Sequence, residues 1–450
     1  MTNVNEFLPD HVGEAGTPLL TIEGRQRLPA ISFLLGLFIL GAVTVSPLEG
    51  WNYVVRGIGI VLAAAFLIRF VGTPALPNAE TILFMCWLLW SFLGVLVAKA
   101  PGLFWPAMGT LWQIWALLAI VSVFTQTRKS LSYNLLAFLV GSLVVIYYSY
   151  VTGEYQRAER EGVRVAGLAV NANQFGWIMV LASVALAYFW MLPTRLGLLK
   201  KIVILPIGMV ILVLIGLSGS RKALVGLVAF YVCWAVFCYG KQLWRKPLLT
   251  GLAAVVLGGV LGGTYVLGGV GESSAVQRLL ISFDFLRGVP THGETGEERI
   301  QLFRIAWDVF TRNPILGVGL DNYRAYAGMA PAHSEYPEVA CDTGLPGFII
   351  YYSIYVALWV RCGRIIRHAG GSHAAQVARL CRAMLVMVMV MNFGRGNFAD
   401  KSAWVIFASL IGYTSAAWNE IKQRRALARV SGVPAAEGQD WGPEGLAPGV

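Results

Sequence analysis

Twelve hydrophobic segments, each about as long as a bilayer is thick, most constrain how this chain can fold. A helix needs about 20 apolar residues to cross the hydrocarbon core, where lipid offers no partners to backbone N–H and C=O groups. Hydrophobic residues make up 57% of the 450 residues and charged residues only 13%, against about 25% charged residues in soluble domains. The sequence therefore predicts an all-α integral membrane protein with about twelve transmembrane helices. The predicted spans are 30–48, 54–72, 81–99, 104–126, 132–152, 168–191, 201–218, 222–240, 248–270, 344–361, 376–393 and 402–418.

The basic residues between these spans predict their orientation, because Lys and Arg concentrate in cytoplasmic loops. Lys and Arg recur in every second loop except 73–80, which fits a cytoplasmic N-terminus. The net charge of +11 has two explanations: basic residues that hold the loops on the cytoplasmic side, or the binding of acidic ligands. The predicted organisation is a cytoplasmic tail over 1–28, nine spans within 29–270, a long periplasmic loop over 271–343, three spans within 344–418 and a cytoplasmic, disordered tail over 419–450.

The long loop contains one amphipathic helix pattern, from Glu297 to Arg312. Acidic residues at its start and Arg312 at its end complement the helix dipole. Its apolar residues recur at spacings of three and four, which predicts a stripe that either lies on the bilayer surface or packs on the bundle. That stripe consists of Ile300, Phe303, Trp307 and Phe310. Arg299 and Arg304 flank it, and either could reach a lipid phosphate.

Of the five histidines, His333 has the most distinctive surroundings. Pro331 and Pro337 stiffen the chain around it, and Ser334 follows it directly. Two glycines, Gly344 and Gly347, then lead into a hydrophobic span. Two interpretations remain open from the residues alone: an exposed loop histidine without a role, and a functional histidine held at the membrane surface.

Arg221 lies in a tight turn between two spans, with no carboxylate nearby in the sequence. Ser218 and Ser220 can cap backbone groups there, and Gly219 permits close approach. Successive N–H groups in such a turn form an anion-binding concavity, and a guanidinium binds phosphate in a two-pronged way. The turn therefore indicates a phosphate site, with simple snorkelling of the side chain as the alternative.

A second polar segment begins at Arg164 and runs into a span. Asn171, Asn173 and Gln174 fall within the first turns of that span. Amide side chains at that depth must find hydrogen-bond partners. They either join neighbouring helices or shape a polar cavity.

His333-Ser334, nine residues, Gly344, two residues and Gly347 together resemble the His-[Asn/Ser]-x9-Gly-x-x-Gly signature of the O-antigen ligase family. Members of that superfamily also include O-antigen polymerases and bacterial protein O-oligosaccharyltransferases. Three further segments are similar to the family and occur in its order. They are Arg164 to Gln174, Ser218 to Arg221, and Arg299 to Tyr323. The resemblance covers roughly residues 160–415, and the first five spans match only as hydrophobic spans.

The resemblance implies a metal-independent, inverting glycosyltransferase of the lipid-donor type in a Gram-negative inner membrane. Such an enzyme passes a glycan from undecaprenyl pyrophosphate to lipid A–core on the periplasmic face, without a cofactor and without nucleic acid. His333 would act as general base, since a sugar hydroxyl is a poor nucleophile. Arg221, with Arg164 and either Arg299 or Arg304, would bind the pyrophosphate and stabilise its developing charge.

Supporting roles fall to the residues around these groups. Asp342 is a candidate to orient His333, and Asp400 is the one acid at the periplasmic end of the last two spans. Ser334, Gly344, Gly347 and Asn173 complete the predicted site.

Two other functions remain open. An O-antigen polymerase or a protein O-oligosaccharyltransferase would share this chemistry and differ only in its acceptor. A transporter or lipid flippase belongs to another class, but transporters commonly place acids near the membrane midplane, and the predicted spans contain almost no Asp or Glu.

Overall fold

The computed structural model describes residues 29–44, 52–72, 77–154, 165–166, 168–169, 171–192, 197–240, 295–330, 332–394 and 398–431. Regular structure in these ranges consists of helices alone. They are α1 Pro29–Thr44, α2 Asn52–Gly72, α3 Ala79–Leu93, α4 Pro101–Phe124, α5 Arg128–Val151, α6 Ala172–Met191, α7 Gly197–Leu217, α8 Arg221–Tyr239, α9 Thr295–Arg312, α10 Tyr323–Tyr326, α11 Glu335–His368, α12 His373–Asn392 and α13 Lys401–Ser431.

The predicted class, an all-α integral membrane protein, is confirmed. Within the described ranges, nine helices are long and apolar enough to cross a membrane. Of the other three predicted spans, the first corresponds to the shorter apolar helix α1 and the last lies within α13. The span 248–270 lies outside the described residues, so a total of twelve stays a prediction.

Helix boundaries differ from the predicted ones where local hydrogen bonding intervenes. Helix α6 begins at Ala172 rather than 168, because the side chain of Asn171 accepts the N–H of Gln174 at 2.9 Å and caps the helix. Helix α13 continues to Ser431, so the first part of the predicted disordered tail at 419–450 is helical. That part is rich in Ala, Leu, Arg and Lys, which favour helix, and Gly432 is the first helix breaker.

The bundle is built around α6. In α6, 78% of the membrane-spanning residues are buried, against 6% in α2 at the periphery. Helix α12 packs against α8, α11 against α3, and α13 against α4. Aromatic rings fill the space between α3, α11 and α13: Trp87 lies 4.5 Å from Tyr351, and Phe84 lies 5.0 Å from Trp404, measured between ring centroids.

One ion pair is buried between α3 and α11. Arg361 donates to the carboxylate of Glu80, which is fully buried, and to the carbonyl oxygen of Ile411 in α13 at 3.2 Å. Removing either charge would leave the other without compensation in a low-dielectric interior. The pair therefore ties three helices together towards the end of the bundle opposite the predicted site.

Candidate active site

Several of the predicted site residues lie at one end of the bundle, which we call the loop end. It is the end where α3 finishes, α11 and α8 begin, and α12 finishes. The indole of Trp90 donates to the carbonyl oxygen of Thr343 at 2.8 Å, and the backbone N–H of Ala100 donates to the side chain of Asn322 at 2.7 Å. These bonds fix the loop before α11 against α3 and α4.

Helix α9 is held on this end by a small hydrophobic cluster of its own, the loop core. Its buried members are Leu302, Ala306, Val309, Val318, Tyr323, Ala327, Ala332 and Cys341. The Tyr323 hydroxyl donates to the carbonyl oxygen of Leu302 and the Cys341 thiol to that of Ala306, both at 2.8 Å. Helix α9 therefore packs on the loop and on the start of α11 through a face that the sequence analysis did not single out.

Gly344 bends α11 where the loop meets the membrane. Its φ of 68° lies in the left-handed region, and a Cβ at this position would overlap the carbonyl group of Ile315. The opposing Gly317 has φ 70°, and its own Cβ would overlap the backbone of Cys341. Two glycines facing each other thus let the loop 313–319 lie directly on α11.

Acidic residues are confined to the part of α11 that precedes this bend. Glu335, Glu338 and Asp342 all come before Gly344, and we therefore take the membrane-spanning part of α11 to begin after it. Gly347, one turn into that part, would meet Trp90 at 2.8 Å if it carried a Cβ. Its role in the motif is close packing of α11 on α3.

Asp342 braces the loop. Its carboxylate accepts the backbone N–H of Asp321 at 2.7 Å and that of Tyr323 at 3.1 Å. Burial raises the pKa of Asp342 to about 8, although the two N–H donors act in the opposite direction. Asp342 was predicted to orient His333, and these bonds mean that it would do so by holding the loop rather than by a bond to the imidazole.

His333 sits between the loop core and the start of α11. Its side chain is exposed and its φ is 55°, a left-handed value that is uncommon outside glycine. The residues on either side are fixed: Ala332 is buried in the loop core, and the hydroxyl of Ser334 donates to the carbonyl oxygen of Asn392 at 3.2 Å. An exposed imidazole is therefore presented on an anchored backbone.

A buried polar network lies directly beneath His333, and the sequence analysis did not identify it. Glu335 is fully buried and accepts from the amide of Asn392 at 2.6 Å and from the hydroxyl of Tyr351 at 2.9 Å. Tyr336 donates to the carbonyl oxygen of Met389 at 2.7 Å. The position of Glu335, two residues after His333, was the available signal. Its partners are distant in the sequence and come together only in the fold.

The predicted turn before α8 is present. Gly219 has φ 60°, Ser220 precedes the first helical residue, Arg221, and its side chain accepts the N–H of Ala223 at 3.4 Å. The hydroxyl of Ser218 accepts the N–H of Ser220 at 3.2 Å. Both serines are buried, whereas Arg221 is partly exposed.

Close packing brings this turn to the His333 region and to the start of α6. A Cβ at Gly394, two residues after Asn392, would lie 2.8 Å from the side chain of Lys222. A Cβ at Gly176 in α6 would lie 3.0 Å from the Ser218 hydroxyl. The beginning of α8 therefore adjoins both the helix end that anchors Ser334 and the first turn of α6, where Asn173 is partly buried.

The remaining predicted site residues differ in their burial and in their hydrogen bonds. Arg304 is exposed on α9. Arg299 lies in the first part of the same helix, at a position where the side chain is not described, and Arg164 lies outside the described residues. Asp400 is buried and accepts the N–H groups of Ser402 at 2.9 Å and Ala403 at 3.3 Å, which makes it the cap of α13.

Comparison with known families concerns a segment that contains several of these residues. Residues 207–352 match the family profile described as O-antigen ligase. This segment is similar to the O-antigen ligase family. The match covers about a third of the sequence and runs from within α7 to within α11. A search among curated proteins gave no match.

This similarity supports a glycosyltransferase activity of the O-antigen ligase or polymerase type. In general terms, such an enzyme acts on a lipid-linked glycan and a lipid acceptor. The matched segment includes the Arg221 turn, α9, His333, Asp342 and Gly344. The capping residue Asp400, which the sequence analysis singled out, and the buried amide of Asn392, which it did not, both lie outside the matched segment.

Proposed function

We propose that this protein is an O-antigen ligase that transfers a glycan from undecaprenyl pyrophosphate to lipid A–core on the periplasmic face of a Gram-negative inner membrane. One observation carries the proposal: the anchored His333 and the Arg221 turn adjoin the same helix end. Ser334 is bonded to Asn392, and Gly394 packs on Lys222. A base and an anion-binding turn at one end of a membrane bundle are what transfer from a lipid pyrophosphate requires.

His333 serves as the general base. The acceptor hydroxyl must lose a proton as it attacks the anomeric carbon, and neutral imidazole accepts a proton near neutral pH. The attack forms the new glycosidic bond as the bond to the pyrophosphate oxygen breaks, so the configuration at that carbon inverts. The exposed side chain and fixed backbone of His333 support this role.

Arginines bind the leaving group. The pyrophosphate gains negative charge as the bond breaks, and preorganised guanidinium groups stabilise it. Arg221, at the first position of α8, combines its side chain with the N–H groups of a helix N-terminus. Arg304 on α9 is the second arginine, with Arg164 and Arg299 as further members, and no metal ion takes part.

The acceptor is tested with purified enzyme and a radiolabelled undecaprenyl-pyrophosphate glycan. The expected result is transfer of label to lipid A–core with inverted stereochemistry. Label found in lengthened lipid-linked polymer or in a protein acceptor would instead indicate the polymerase or the protein O-oligosaccharyltransferase. Counterflow of lipid or solute across liposomes without any acceptor would indicate a transporter or flippase.

The donor site is tested by Arg221→Lys. A Lys ammonium keeps the charge but not the two-pronged geometry, so the variant should lose most transfer activity and bind donor more weakly. Arg324→Lys is the matched control, because Arg324 already pairs with Asp321 at 3.2 Å in the segment between α9 and α11. Complete loss of activity with a chelator, restored by magnesium, would contradict the proposed metal-independent role of the arginines.

A further inference from the structure

Helix α9 carries two separate apolar faces, and only one of them is covered within the described residues. Leu302, Ala306 and Val309 are buried in the loop core. Phe303 and Trp307 are 55% and 61% exposed, and Ile300 is 42% exposed. Since successive helical residues are rotated by about 100°, the exposed apolar face lies beside the buried one rather than opposite it.

The remaining third of the helix surface is polar. Gln301, Arg304, Asp308, Thr311 and Arg312 are all exposed, and Asp308 and Arg312 pair at 2.8 Å. An exposed apolar face containing Trp and Phe, bordered by arginines, is typical of helices that lie in the membrane interface. Of the predicted stripe of α9, Phe310 packs against the loop core, whereas Ile300, Phe303 and Trp307 form the exposed apolar face.

The exposed apolar face of α9 continues into the lipid-facing surface of the bundle. The backbone N–H of Leu345 donates to the carbonyl oxygen of Pro314 at 2.8 Å, which joins the segment after α9 to the first residue beyond the bend in α11. Ile315 and Leu345 are 65% and 50% exposed, and Ile349, one turn further into the span, is 55% exposed. Exposed apolar side chains therefore lie on both sides of this junction, on the segment that follows α9 and on the first turns of the membrane-spanning part of α11.

We propose that α9 is docked in the bilayer interface at the loop end, with Phe303 and Trp307 inserted among the lipids and Asp308 and Gln301 facing water. The occupant of the exposed face is lipid, because the surface adjoining it at Leu345 and Ile349 belongs to a helix that lipid must surround. Arg304, between the apolar and polar faces, then lies at headgroup level. The access of Arg304 to a lipid-linked pyrophosphate rests on the proposed function. The docking of α9 in the interface does not depend on that function.

The test uses photocrosslinking of the full-length protein in nanodiscs of phosphatidylethanolamine and phosphatidylglycerol. Benzoylphenylalanine replaces Phe303 or Trp307 in the test variants and Asp308 or Gln301 in the matched controls. All four positions are exposed, and the aromatic replacement keeps the bulk of the two test side chains. A gel-filtration profile like that of the unmodified protein establishes folding before irradiation.

Mass spectrometry should find lipid adducts at positions 303 and 307 several-fold more often than at 308 and 301. Equal adduct yields at all four positions would overturn the proposal, as would an absence of lipid adducts at 303 and 307. Crosslinks from 303 or 307 to peptides of residues 241–294 would overturn it too, by identifying a segment of the chain as the occupant. None of these readouts depends on transferase activity, so failure of the docking and failure of the proposed function remain distinguishable.

Discussion

His333 joins an exposed side chain to a backbone conformation that few residues adopt. Replacement by alanine would therefore mix two effects, loss of the imidazole and a change in backbone preference, because alanine accepts the φ of 55° less readily than histidine does. Asn and Gly both accept left-handed φ values readily. These two replacements isolate the chemistry of the side chain.

We expect His333→Asn and His333→Gly each to lose about 10²–10⁴-fold in turnover, the usual contribution of acid–base catalysis. Donor binding should survive, because it depends on the arginines. The wild-type rate should also fall at acidic pH, because a protonated imidazole cannot accept the proton of the acceptor hydroxyl. The measurement is ligation kinetics on purified enzyme with a separate donor-binding assay. His368→Ala, at the opposite end of the bundle, is the control, and near-normal turnover in His333→Gly would remove the base role.

The titration of Asp342 predicts the direction in which the stability of the folded protein changes with pH. Its pKa is raised from 3.8 to about 8 in the folded protein, so between these values the folded state holds a proton that the unfolded state releases. Stability should therefore fall as pH rises through this window. Asp342→Asn removes the titration and keeps an oxygen for only one of the two N–H groups, because Asp321 and Tyr323 donate to different carboxylate oxygens. The change of Tm with pH is therefore compared, rather than Tm itself.

The expected result is a smaller decline in Tm between about pH 5 and pH 8 for Asp342→Asn than for the wild-type protein. Some decline should remain, because burial and the neighbouring Asp342 and Asp321 also raise the pKa of Glu338. Thermal unfolding in detergent, followed by a fluorescent thiol probe, measures the slope. Asp308→Asn on the exposed face of α9 is the control, and an unchanged slope in Asp342→Asn would contradict this assignment.

At the scale of elements, the bend in α11 decides how the loop meets the membrane. Gly344→Ala would combine a disfavoured φ of 68° with overlap between the new Cβ and the carbonyl of Ile315. We expect a Tm lower by at least several degrees, together with weaker activity, since the loop 313–319 must move away from α11. Gly370→Ala provides a matched control, because a Cβ there meets nothing within 4 Å and should leave Tm unchanged. Equal Tm values for the two variants would show that the close contact is not needed.

At the scale of the whole molecule, the basic loops predict that the loop end faces the periplasm. Cysteine introduced at Asp308 should react with a membrane-impermeant maleimide on intact cells. Cysteine introduced at Arg425, which contacts His368 at the opposite end of the bundle, should react only after permeabilisation. Both positions are exposed, so accessibility of the side chain does not bias the comparison. The reverse pattern would invert the topology and exclude a periplasmic site.

The sequence by itself determined the class of the protein and the position of most helices. Membrane-spanning helices need long apolar runs because lipid cannot satisfy backbone groups, and such runs are visible without any knowledge of tertiary contacts. The sequence also predicted that the serines of the Arg221 turn cap backbone groups, since such bonds join residues two or three apart in the chain. The His333 motif likewise pointed to the O-antigen ligase family before the structure was considered.

Only the tertiary structure decided which polar groups work together. Glu335 meets Asn392 across 57 positions in the sequence, and Asp342 serves the loop backbone at Asp321 rather than the imidazole it was expected to orient. Helix α9 likewise had one predicted apolar stripe, whereas the fold buries a different face. The physical reason is that helical periodicity shows which side chains share a face, but burial of that face depends on neighbours that the chain brings together only when it folds.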